Sequence, residues 1–109
     1  MNDVTIYIWQ RPIKDKLNEM FVDYDEVSLN EFVLVYITKK IISFRNIEDY
    51  LEDLYVELSN DYPKDYYARS LGTSDLIMIR DPIHDKTENY VVNIQGFKKV
   101  KVKVGNKYE

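Results

Sequence analysis

The repeat period of this chain changes from helical to strand-like at Asn60, and that change restricts the folds open to it. Before Asn60, the residues Ile47, Tyr50, Leu51, Leu54, Tyr55 and Leu58 recur at spacings that place one apolar stripe on a helix. Asn46 stands where an N-cap belongs, and Glu48 and Asp49 occupy the first turn, where free N–H groups and the helix dipole favour acids. Beyond Asn60, Pro63 forbids continuation, Gly72-Thr73-Ser74-Asp75 is turn chemistry, and Leu76 to Ile79 is short enough for one buried strand. A helix that hands over to strands through a polar turn predicts an α+β domain.

Strands are expected on both sides of that helix. Val4 to Trp9 is β-branched and aromatic apart from Thr5, which predicts a central strand buried on most of both faces, ended by Arg11-Pro12. Phe32 to Thr38 is a second strand bounded by Lys39-Lys40, with Ile41 to Phe44 open between its extension and the approach to the helix. Ile13, Leu17 and Met20 suit a short helical turn. After the central turn come strands over Asp75 to Arg80, Asn89 to Gln95 and Phe97 to Val104, with Asp81 to Thr87 as a hairpin loop and Gln95-Gly96 as a tight turn. Along the last strand Val100, Val102 and Val104 alternate with Lys99, Lys101 and Lys103, as on a sheet covered on one side or an edge guarded by lysine. The expected architecture is one domain over residues 1–109, a mixed or antiparallel sheet of about five strands with one main helix on one face.

Composition closes off several kinds of chemistry. The chain has no cysteine, which removes disulfides, thiol nucleophiles and thiolate metal sites and fits a reducing cytosol. No basic stretch followed by an apolar one opens the sequence, and no apolar run approaches the ~20 residues of a membrane span, so a cytoplasmic protein without a membrane role is expected. A formal net charge of −4 gives no general attraction to nucleic acid. The charge is unevenly spread: six acids and no base lie between Glu48 and Asp61, while Lys98, Lys99, Lys101, Lys103 and Lys107 crowd the C-terminal end.

Asp61-Tyr-Pro-Lys-Asp-Tyr-Tyr-Ala-Arg-Ser-Leu-Gly-Thr-Ser-Asp-Leu-Ile-Met-Ile79, followed by Asn89-Tyr-Val-Val-Asn-Ile-Gln-Gly-Phe97, resembles the YodL-like domain. The resemblance rests on a Pro-x-Asp-Tyr step at Pro63 and Asp65, an Arg-Ser-Leu-x-x-x-Asp core from Arg69 and Ser70 to Asp75, and a tyrosine-containing strand ending in Gly96-Phe97. It covers the C-terminal half and the preceding helix. Gly72-Thr73-Ser74 departs from the commoner pattern of serine followed by valine. The resemblance implies a small cytosolic protein of Gram-positive bacteria, their phages or mobile elements, without established catalysis; some members are linked to interference with the actin-like cell-shape machinery. It supplies no catalytic residue.

The residues themselves leave two accounts of the motif. Ser70 and Asp75 can bond the backbone of their own turn and Gly72 can take a positive φ; alternatively Arg69, Ser70, Thr73 and Asp75 form a polar pocket. His84, near Asp81 and Asp85, lacks a nucleophile partner and reads as a loop histidine. Asp23, Asp25 and Glu26 fail a calcium-loop pattern, because Ser28 and Leu34 stand where glycine and glutamate are required, so no metal and no cofactor is expected. Lysines of the last strand with Phe97 or Tyr108 could meet a nucleic acid, but net acidity favours a solvated face.

For a protein partner the stronger candidates are Tyr62, Tyr66 and Tyr67, which lie outside the helical stripe, and the acids Glu48, Glu52, Asp53 and Glu57. The expected function is a non-enzymatic binder of a host protein, with the acidic helix mimicking a phosphate backbone toward a basic nucleic-acid enzyme, or acting on a cytoskeletal protein. A ligand-binding module or small hydrolase built on Arg69, Ser70 and Asp75, and a self-assembling structural component, are the alternatives.

Overall fold

The computed structural model describes residues 2–12, 25–104 and 107–108. The expected helical turn at Ile13 to Met20, the residue Asp23 and the Tyr108 side chain lie outside what is described.

Strand β1 (Asn2–Gln10) takes every second side chain, Val4, Ile6, Ile8 and Gln10, into the core and leaves Thr5, Tyr7 and Trp9 half covered. The expectation of burial on most of both faces is thus met on one face only, the period-two outcome of a sheet with a helix on one side. β1 is an interior strand between β3 (Val33–Ile42) and β4 (Leu76–Asp81), and β5 (Lys86–Val92) and β6 (Phe97–Lys99) complete a five-stranded sheet in the order β3-β1-β4-β5-β6. All its pairings are antiparallel.

β3 runs through Lys39-Lys40 to Ile42, settling the open stretch at Ile41-Ile42 as strand. Between Ile8 and Trp9 its register slips: Ile8 faces Tyr36 while Trp9 faces Leu34, so Val35 is a bulged extra residue. Tyr36 therefore stays on the helix side with Ile42, and Leu34, Ile37, Lys39 and Ile41 take the other face, opposite Trp9, Tyr7, Thr5 and Asp3.

Helix α1 (Ile47–Ser59) follows a short 3-10 turn at Phe44–Asn46. Leu51, Leu54 and Leu58 are fully buried against Ile6, Ile8, Ile77 and Ile79. Each such side chain contributes about 1.5–3 kcal/mol of burial, so this stripe, rather than a cap, holds the helix. Asn46 makes no side-chain cap hydrogen bond, contrary to expectation. The Asn60 N–H closes the far end on the Val56 carbonyl at 2.9 Å.

The expected last strand is divided. β6 belongs to the main sheet, and after Val100 the chain passes as β7 (Lys101–Val104) into a second sheet with β2 (Glu26–Ser28), parallel to it, and β8 (Lys107–Tyr108). Val27, Val100 and Val102 with Phe32, Leu76 and Val91 form a second buried cluster on the sheet face away from the helix. Val104 is exposed, so the valine alternation marks a buried face only up to Val102.

Candidate functional site

The Arg69–Asp75 turn folds around a buried carboxylate. Asp75 is wholly buried, and its Oδ2 accepts the Gly72 N–H at 2.8 Å and the Gln10 Nε2 at 3.1 Å. Its Oδ1 lies 3.7 Å from Arg69 Nη2, which also donates to the Arg11 carbonyl at 2.5 Å. The Arg69 carbonyl in turn receives Gln10 Nε2 at 3.0 Å and the Tyr66 hydroxyl at 2.7 Å. The backbone of Ser74 and Asp75 continues the sheet beside β5: the Ser74 N–H meets the Val92 carbonyl at 2.8 Å and the Val92 N–H meets the Asp75 carbonyl at 2.9 Å.

A carboxylate can accept several N–H donors at once, and one placed ahead of a strand closes its own turn. Asp75 is therefore read out by its own turn's backbone, while Arg69 ties that turn to the Arg11 carbonyl. The left-handed residue is Ser74, at φ 78°, and not Gly72 as expected. Ser70 departs too, since its hydroxyl turns to Tyr62 and to the Ser59 carbonyl at 3.5 Å rather than to its own turn. Pro63 and Asp65 serve the same construction: the Pro63 carbonyl accepts the Tyr66 N–H at 3.0 Å, and Asp65 accepts the Tyr36 hydroxyl at 2.9 Å.

Tyr66 is buried, in edge contact with Tyr36 at 5.0 Å and stacked on Tyr62 at 5.6 Å. Burial, with the Asp75 charge next, raises its hydroxyl to about 12. It belongs to the core, which corrects its grouping with the exposed tyrosines Tyr62 and Tyr67. At the same end of β5, Gly96 supplies the left-handed residue of the turn that follows Val92, at φ 77°, and Phe97 packs on the main core.

A second buried carboxylate holds the β4–β5 hairpin. Asp81 Oδ1 accepts the Ile83 and His84 N–H groups, both at 3.1 Å, and Oδ2 accepts Asn2 Nδ2 at 2.7 Å and meets His84 Nδ1 at 2.8 Å. Burial alone raises an acid, but here the hydrogen bonds from Asn2 and His84 and the histidine charge overcome it and hold the group at about 2. His84 is anchored on its Nδ1 side with the rest of the ring exposed. No cluster with metal-ligand character occurs among the described residues.

The acids of α1 are placed as expected with one exception. Glu48, Glu52 and Asp53 are exposed, whereas Glu57 is half covered and pairs with Lys40 at 3.6 Å. Sequence periodicity missed Val56, 53% exposed on the outer face, and placed Tyr55 in the buried stripe although it is exposed. Glu52, Tyr55 and Val56 line a cleft of about 350 Å³ with Thr73, Ile94 and Phe97. The Val56 signal was legible, since an apolar residue off the stripe has nothing in its own helix to cover it.

An α+β domain whose central turn is built on the buried Asp75 carboxylate, with the half-buried Arg69 beside it, is thus defined by its own residues. The chain belongs to the YodL-like domain family, whose profile matches residues 5–102 and so extends beyond the C-terminal half and preceding helix that the motif alone suggested. No curated protein and no solved structure matches the chain. Among the described residues no helix is long and apolar enough to cross a membrane.

Proposed function

We propose that this domain acts without catalysis of its own, by binding another protein through the outer face of α1. The observation that supports this reading is the join of charge and apolar surface there: Glu52 lines the cleft in which Tyr55, Val56 and Ile94 stay exposed, and Glu48 and Asp53 are exposed on the same helix. Acids steer a basic partner and fix its register, while the apolar rim supplies the area that a purely solvated helix would lack. The partner's contact surface is basic, with an apolar side chain that enters the cleft. A cytoplasmic host protein of a Gram-positive bacterium, bound and inhibited by a phage or mobile-element product, is the setting that fits. Tyr62 and Tyr67 are exposed beyond the helix C-terminus.

Against a hydrolase built on Arg69, Ser70 and Asp75 we weigh that the carboxylate and guanidinium already have partners in the chain. The test is affinity capture from a Gram-positive lysate with the wild type, Glu52→Lys/Asp53→Lys, and Val56→Ser. A basic protein retained by the wild type, released by moderate salt and lost with both variants is the expected result. Equal capture by all three chains would overturn the assignment to α1.

A further inference from the structure

The two edges of the main sheet differ in a way that assigns one of them a ligand. Among the described residues β3 has β1 as its sole neighbour, so half of the main-chain N–H and C=O groups along its ten residues point away from the sheet. On the face without the helix, Ile37, Lys39 and Ile41 follow one another at alternate positions, with Ile37 50% and Ile41 66% exposed. This is apolar, basic, apolar. Lys40, on the helix side, is already paired with Glu57, but Lys39 is exposed and has no carboxylate at ion-pair distance among the described residues. Beside it Asp3, Thr5, Lys39, Ile41 and Pro82 line an open hollow of about 630 Å³.

We propose that β3 receives an extended segment of a different protein as a sixth, edge strand, with an acidic side chain opposite Lys39 and apolar side chains at the positions two residues to either side, over Ile37 and Ile41. Main-chain hydrogen bonds supply affinity in such strand addition, and side chains at alternate positions supply selection. A second copy of this chain fits less well. The antiparallel register that sets Ile37 against Ile41 puts Lys39 directly opposite its own counterpart, and like charges there are destabilising. Lysine on this edge therefore selects against self-pairing and for an acidic strand. The surface lies across the sheet from α1 and takes partner chemistry of opposite sign.

The probe is a blocked ten-residue peptide with one Glu, valines two residues to either side of it and threonine elsewhere; its counterpart has Lys in place of Glu. Amide hydrogen exchange of residues 33–42 is followed by NMR in the full chain, with and without each peptide. In the chain alone, alternate β3 amides exchange fast; the Glu peptide slows them and binds about fivefold more tightly than the Lys peptide, the factor expected of one cross-strand charge pair. Lys39→Glu reverses the preference. Slow exchange of every β3 amide in the dilute chain would mean that the chain covers its own edge, and protection that grows with protein concentration would mean that a second copy does. Either result, or equal binding of the two peptides by the wild type, overturns the proposal.

Discussion

The Arg69–Asp75 turn and the β3 edge handle polar backbone in opposite ways. In the turn, the carbonyl of Arg69, the N–H of Gly72 and the main chain of Ser74 and Asp75 all have partners supplied by the chain, and the carboxylate that organises them is sealed from water. Along β3, among the described residues, a ladder of N–H and C=O groups faces outward beside Ile37 and Ile41, which are half exposed or more. The turn carries the conspicuous motif and the edge carries an ordinary run of β-branched residues. What this teaches is that unusual residues collect where a backbone needs help to close, and that a surface able to bind another chain needs only a strand left without a neighbour.

The largest effect should come from the closed region. Asp75→Ala leaves the Gly72 N–H without its acceptor, strips the Gln10 amide of one of its acceptors and removes the counter-charge of Arg69, at a cost of about 3–5 kcal/mol. Urea unfolding followed by tyrosine and tryptophan fluorescence measures it. A loss below ~1 kcal/mol would erase the contrast, since a turn that tolerates this change is not held by its carboxylate.

The hairpin at Asp81 gives an intermediate test, because it is closed by a carboxylate that titrates. Its folded value, about 2, lies below the unfolded 3.8. Stability from this group is therefore full above pH ~4 and is lost as pH falls through ~2. Thermal unfolding at several pH values between these limits should show the decline, and Asp81→Asn should start lower and decline less. Parallel curves for the two proteins would show that the group does not lock the hairpin. A smaller step is expected of Tyr66→Phe, which removes one donor from the Arg69 carbonyl while Gln10 Nε2 remains on it. The loss should be about 1 kcal/mol in the same urea measurement.

How far the sequence revealed this depended on whether the determinant was local. The α1 stripe at Leu51, Leu54 and Leu58 is periodic within a few residues and could be read directly, as could the YodL-like motif. The left-handed residue was assigned to Gly72 because glycine is the ordinary choice, and only the pairing of Ser74 with Val92 fixes the positive φ one step before Asp75. Gln10, which bonds the turn from 65 residues away in sequence, had no local signal beyond a polar side chain ending an apolar strand. The break of the last strand at Val100 was hidden because β6 and β7 share one alternation while pairing in different sheets. The open state of β3 was hidden for the same reason: edge and centre differ in strand order, which composition does not record.

The smallest expected effect is also the one that bears most on β3. Ile37→Thr and Ile41→Thr keep a β-branched residue and its strand propensity while removing apolar surface from the outer face. If these side chains are exposed because nothing in the chain covers them, each change should alter stability by no more than about 0.5 kcal/mol, as at other surface positions. Ile6 and Ile8, buried on the neighbouring strand, set the scale for the opposite case, where shortening a side chain opens a cavity and costs several times more. The measurement is urea unfolding of the single and double variants, with additive losses expected because the two residues make no shared core contact. A cost of ~1.5 kcal/mol or more at either position would place that isoleucine inside the chain's own packing and close the edge. A near-neutral double variant that no longer slows its β3 amides with the Glu-containing peptide would separate the two roles: the isoleucines contribute little to the fold and much to the added strand.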